Sequence, residues 1–100
     1  MSGEPVADAP ITLLDFWADW CGACRMADPI IERVVAGHPD VIVRKVDVAT
    51  DAALAESHQV RALPTLILTA TDGRELVRLS GAMTGKRIEA AIVEARQALA

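Results

Sequence analysis

The chain has 100 residues, 52% of them hydrophobic and 24% charged, with a formal net charge of −4. That length is one domain, and the composition is that of a folded chain rather than a disordered one. The acidic balance, with Arg44-Lys45 and Lys86-Arg87 as pairs rather than tracts, argues against a nucleic-acid partner, and no run near the ~18 apolar residues of a membrane span is present.

The first ten residues, MSGEPVADAP, have neither a basic start nor an apolar run, so no secretory signal is read there and a cytoplasmic location is expected. Gly3, Pro5 and Pro10 make residues 1–10 a flexible lead-in, and 11–100 the single domain. Residues 11–17, ITLLDFW, are almost continuously apolar, which suits a strand buried on both faces. From about Gly22 to Ala36, Met26, Ile30, Ile31, Val34 and Val35 give a helix with an apolar side. Pro29 should kink that helix, and Gly37 with Pro39 should end it. VIVRKVDV, 41–48, is a second strand, and a short helix over 51–58 is capped by Thr50 or Asp51. TLILTA, 65–70, and ELVRLS, 75–80, are strands joined at the Asp72-Gly73 turn. Thr84 caps a last helix in which Ile88, Ala91, Ile92, Ala95 and Leu99 face inward while Lys86, Glu89, Glu94 and Arg96 face water. His38 and His58 read as surface residues. The order βαβαββα predicts an α/β fold with helices on both faces of a central sheet. With 3% aromatics (Phe16, Trp17 and Trp20), the core is aliphatic.

The chemistry lies in DFWADWCGACR, residues 15–25, which holds the chain's two cysteines, Cys21 and Cys24. A C-x-x-C pair beside a βαβ unit reads as a redox motif. Cys21 follows a strand and starts a helix, where free N–H groups and the helix dipole stabilise a thiolate, the reactive form of the thiol. Cys24, one turn on, can reach back to form or resolve a disulfide. Three blander uses of the pair stand beside this one. Two buried packing cysteines are one. A zinc site would need more ligands than His38 and His58 offer, and a Cys/His hydrolase with His58 as base has no supporting motif. Asp15 sits among Leu13, Leu14, Phe16 and Trp17. If buried there, its carboxyl is costly to ionise and suited to proton transfer; the alternative is a solvated strand edge.

FWADWCGAC with Arg25, Met26 and Pro29, then VRALPTL at 60–66 and Ser80-Gly81-Ala82 before the last helix, resembles the thioredoxin family from about Ile11 to Leu99. The resemblance implies a thioredoxin-like three-layer α/β sandwich. It implies a protein-disulfide reductase in which Cys21 attacks and Cys24 resolves, the pair itself carrying the electrons without a bound cofactor or metal. It implies that Asp15, with Lys45 on the neighbouring strand, helps to deprotonate Cys24, and that Pro64 is cis beside the cysteines. Trp20, Gly22, Ala23, Leu63, Pro64, Thr65, Gly81 and Ala82 would form the substrate groove. The implied partners are disulfide-containing proteins and a thioredoxin reductase or similar electron donor. Alternatives on the same fold are a thiol oxidant or isomerase, and a binding module whose redox step is idle.

Two departures from the family pattern carry expectations. Ala23 stands where the commonest reducing motif has proline, and its N–H is expected to stabilise the Cys21 thiolate and make the disulfide more oxidising. The short stretch before Ile11 leaves strand 41–48 as a sheet edge. Arg44 and Lys45 would guard that edge in a monomer, or the edge would pair with a second chain.

Overall fold

The computed structural model describes residues 10–100, so the expected flexible lead-in lies outside the described residues apart from Pro10. The apolar run ITLLDFW forms β1 (Ile11–Trp17), the second strand of a sheet ordered β2-β1-β3-β4. β2 (Val41–Asp47) pairs with it in parallel, and β3 (Thr65–Thr69) pairs with it antiparallel. β4 (Glu75–Ser80) pairs antiparallel with β3. Flanked by strands on both sides, β1 sends alternate side chains to opposite faces. Ile11 and Leu13 enter a core with Ile31, Val34, Ile88 and Ile92 of α1 (Gly22–Val35) and α3 (Gly85–Leu99). Leu14 and Phe16 enter a second core on the other face with Ala55 of α2 (Ala52–Ser57) and Ile67. The expected three-layer sandwich and the order βαβαββα are what the chain forms.

Helix α1 runs through Pro29 without a break in its assignment. At the far end of the sheet the chain turns at Gly73, whose positive φ of 89° is a conformation that favours glycine, and the Gly73 N–H donates to the Ala70 carbonyl. Thr84 caps α3 as its sequence position predicts, its Oγ1 accepting from the Arg87 N–H at 3.1 Å.

Several expectations are corrected by long-range polar contacts. Asp51 occupies the N-cap of α2 but makes no capping bond; its carboxylate is instead 3.8 Å from the Arg44 guanidinium. Arg96 does more than face water: with its side chain 39% exposed, it also joins elements distant in sequence. It donates to both Asp40 carboxylate oxygens, at 2.6 and 2.8 Å, and to His38 Nδ1 at 2.7 Å. His38 therefore lies between elements rather than on the surface, with its Nε2 2.7 Å from Glu89. Because Nδ1 accepts from Arg96, the proton of neutral His38 sits on Nε2 and is donated to Glu89. His58 is likewise largely covered, its ring 5.9 Å from that of Phe16.

The cap at Thr84 positions the loop that reaches the cysteines, so its loss is measurable. Thr84→Ala should lower stability by about 1 kcal/mol, and Thr84→Ser should restore most of it. Urea unfolding midpoints of the three proteins check this.

Candidate active site

The site is assembled where β1 ends and α1 begins. After Trp17 the chain turns through Ala18, Asp19 and Trp20, and the Cys21 N–H donates to the Ala18 carbonyl at 3.0 Å. Cys21 is the N-cap of α1, in extended conformation, and Cys24 lies at its third helical position. The two are joined as a disulfide with their Cα atoms 5.4 Å apart, a span that a disulfide bridges. Ala18 and the two cysteines form a small buried cluster against Trp17, Val48 and Leu63. The packing-cysteine reading thus describes only part of the site: both sulfurs are covered, yet they are bonded and sit at a helix start.

The Cys24 N–H donates to Cys21 Sγ at 3.2 Å. In the disulfide form the N–H aimed at this sulfur is not that of Ala23, whose expected effect concerns the thiolate. The donor aimed at the sulfur belongs to Cys24, because an N-cap side chain accepts from the second or third helical N–H and here geometry selects the third. Ala23 itself is exposed, as is Gly22.

Two apolar grooves flank the disulfide. One, of about 300 Å³, is lined by Trp20, Val60, Ala62 and Leu63 together with Val48, Ala55 and Arg61. The other, of about 170 Å³, lies between Ala23, Met26, Ala27 and Ile30 of α1 and the Ala82-Met83 loop. Trp20 and Met26 are 74% and 76% exposed, so these large apolar side chains contribute little to the core and are open to a partner. The Leu63–Pro64 bond is cis, and the Pro64 carbonyl accepts from the Gly81 N–H at 3.0 Å, which ties the two groove loops together. Arg87 fastens the same loop by donating to the Ser80 and Ala82 carbonyls. Thr65 is placed otherwise than expected. Its side chain is buried, and Oγ1 donates to the Ala62 carbonyl at 2.6 Å, so it braces the loop from within instead of lining the groove.

Asp15 is 2% exposed, which removes the solvated-edge alternative. It occupies the α1 face of β1, opposite Lys45 in the parallel register. Desolvation by burial is the main cause that pushes its carboxyl up to about 6, with the Asp28 charge adding to it and Lys45 opposing it. The Lys45 ammonium is bonded not to Asp15 but to Asp28 Oδ2, at 2.8 Å, and stands 5.1 Å over the Trp17 ring. Asp28 was invisible to motif reasoning, though a signal existed: an acidic residue at i+4 from Cys24 shares its face of α1. Among the described residues, no group of three or more His, Cys, Asp or Glu side chains is arranged to hold a metal ion.

The sequence model of the thioredoxin family matches residues 3–94. A thioredoxin of Chlamydia trachomatis serovar D is 42% identical over 84 residues, 81% of either chain. Among solved structures, a mutant thioredoxin from Halobacterium salinarum superposes with a TM-score of 0.76 at 39% identity, over 85% of this chain and 74% of that one. Fasciola hepatica thioredoxin does so with 0.76 at 34% identity, over 87% and 83%. The chain belongs to the thioredoxin family and is a thiol–disulfide oxidoreductase, with Cys21 and Cys24 as its redox pair.

The raised carboxyl of Asp15 has a thermodynamic consequence with a definite sign. Between its unfolded value near 3.8 and its folded value of about 6, the folded protein holds a proton that the unfolded chain has released, so this group's contribution to stability falls as pH rises through that window. Above it, folding carries a buried carboxylate. Asp15→Asn should therefore stabilise the protein at pH 7.5 by roughly 1–3 kcal/mol, and the gain should vanish below pH 4. Urea unfolding at both pH values checks it.

Proposed function

We propose that this oxidoreductase works in the reducing direction on protein disulfides. The Cys21 thiolate attacks one sulfur of a substrate disulfide. A Cys21–substrate disulfide forms, and the other substrate sulfur leaves as a thiolate that takes a proton from solvent. Asp15 accepts the Cys24 proton, and the Cys24 thiolate attacks Cys21 Sγ. The Cys21–Cys24 disulfide closes, and the second substrate sulfur leaves and is protonated. The substrate gains two electrons and two protons; a dithiol or flavin-type reductase must return the same number to the pair. A monomer in the cytoplasm, its β2 edge carrying exposed Arg44 and Lys45 against edge pairing, completes the reading.

The observation that carries the direction is the buried Asp15 beneath α1. A strong disulfide oxidant is one whose reduced form is stabilised, chiefly as a thiolate. Here a single backbone N–H points to Cys21 Sγ, and a buried carboxyl beneath α1, the helix that Cys21 caps, opposes further negative charge. Both features keep the disulfide comparatively stable and the dithiol a willing donor. The grooves supply the second half of the argument. Exposed Trp20 and Met26 with the Leu63-Pro64 loop form an apolar surface for a protein segment rather than an enclosed pocket for a small molecule.

Equilibration of the Cys21–Cys24 pair against defined thiol buffers tests the direction. A potential near about −270 mV is expected. A value of about −180 to −120 mV would assign the protein to the isomerases or oxidants.

A further inference from the structure

We propose that Asp28 is a positioning residue for proton transfer at Cys24: by engaging the Lys45 ammonium itself, it leaves the Asp15 carboxyl without its full counter-charge and sets the pH at which Asp15 can accept a proton. The inference rests on the reading of Asp15 as the base for Cys24.

The geometry begins with helix spacing. Cys24, Asp28 and Ile31 recur on the side of α1 that lies over β1, with Cys24 and Ile31 buried and Asp28 partly so. Beneath this stripe, Asp15 and Lys45 stand opposite each other across the β1–β2 ladder, on one face of the sheet. Left to themselves, a buried carboxylate and a lysine so placed would neutralise each other. Asp28 intervenes, with its Oδ2 2.8 Å from Lys45 Nζ. Asp15, Asp28, Glu32 and Lys45, with Ile31 and Val43, line one crevice of about 260 Å³ that is open to solvent. A proton on Asp15 therefore has a polar route outward beside the Asp28–Lys45 pair.

The charge balance of the crevice decides who holds that proton. The charged groups facing Asp15 are Asp28 and Glu32 from α1 and Lys45 from β2, whereas β3 offers Leu66 opposite it. Three carboxyls share one ammonium, so the full set of charges would be −2 in a confined space. The most buried carboxyl is the one that keeps its proton to the highest pH, because it loses most water on ionising. The causes acting on Asp15 agree with this: burial and the Asp28 carboxyl push it up, and together they outweigh Lys45. The Asp28 carboxylate in turn raises the Lys45 ammonium and holds it charged.

The contrasting role for Asp28 is an ordinary partly exposed ion pair that ties α1 to β2 and contributes little to stability. Such a pair would not govern the titration of a neighbouring carboxyl. The Asp15 carboxyl can be titrated in the reduced protein by carbon-13 NMR, alongside the single-turnover rate of reduction of a peptide disulfide between pH 4 and 9. Asp28→Asn, which keeps the side-chain shape, should free Lys45 for Asp15 and move the Asp15 midpoint down by about one pH unit or more, with the acid inflection of the rate following it. Lys45→Met should move both upward. In an Asp15→Asn background, Asp28→Asn should leave the rate profile where it was. An Asp15 midpoint unmoved by Asp28→Asn overturns the proposal, as does a midpoint that moves while the rate profile stays fixed. A rate profile unchanged by Asp15→Asn alone overturns the base reading, and this inference with it, whatever Asp28→Asn does to the titration.

Discussion

Desolvation of one carboxyl, that of Asp15, constrains much of the rest of this structure. It lies on a strand with neighbours on both sides, between cores built from Leu13 on one face and Leu14 and Phe16 on the other, and so has almost no access to water along the sheet. An isolated carboxylate there would be costly enough to stay protonated at all ordinary pH values. Lys45, one strand away, and the crevice under α1 moderate that cost; Asp28 restores part of it by pairing with Lys45. The result is a group that changes its charge near pH 6, within the range where thiols can be made to exchange protons with it. A carboxyl on the sheet's edge would ionise in the ordinary carboxylate range, and one with no lysine nearby would keep its proton to a higher pH. Neither would serve a thiol that must be deprotonated and then regenerated.

The same burial accounts for which parts of the molecule were legible in the sequence. Strand β1 was readable because a doubly covered strand needs a continuous apolar run, and its one polar residue stood out against it. The cap at Thr84 and the inward stripe Ile88, Ala91, Ile92, Ala95 and Leu99 are local patterns that a helix imposes on its own sequence. The cysteine pair is also local: spacing and the preceding strand put it at a helix start. Pro64 is different. Its cis bond and its place beside the cysteines came from the resemblance to the thioredoxin family alone, since it is 40 positions from Cys24.

What was not legible is nearly all side-chain pairing across the fold. Lys45 and Asp28 are separated by 17 residues, and Arg96 and His38 by 58; no periodicity relates them. Arg96 read as a surface residue because a charged side chain on an outer helical face usually is one, and His38 because a polar residue in a connection usually is. Tertiary packing of α3 against the start of β2 instead closed a network around them. Thr65 failed in a subtler way. It was placed in the correct neighbourhood, but the direction of a hydroxyl is a matter of tenths of an ångström that spacing does not encode.

The two cysteines are separated functionally by this architecture although they are three residues apart. Cys21 is the cap, outside the helical repeat, at the junction with the exposed Trp20 and the groove loops. Cys24 is inside the helix, on the face directed at the sheet and one turn from Asp28. A substrate segment lying along Trp20 and Leu63 meets the Cys21 side first, and the proton-handling groups lie on the Cys24 side. The groove beside Ala23 and Met26 and the Asp15 crevice are lined by different residues of α1. In the proposed cycle, attack and resolution accordingly fall to different sulfurs, the cap residue Cys21 and the helical Cys24. The helix that Cys21 caps also covers the carboxyl proposed to receive the proton of Cys24.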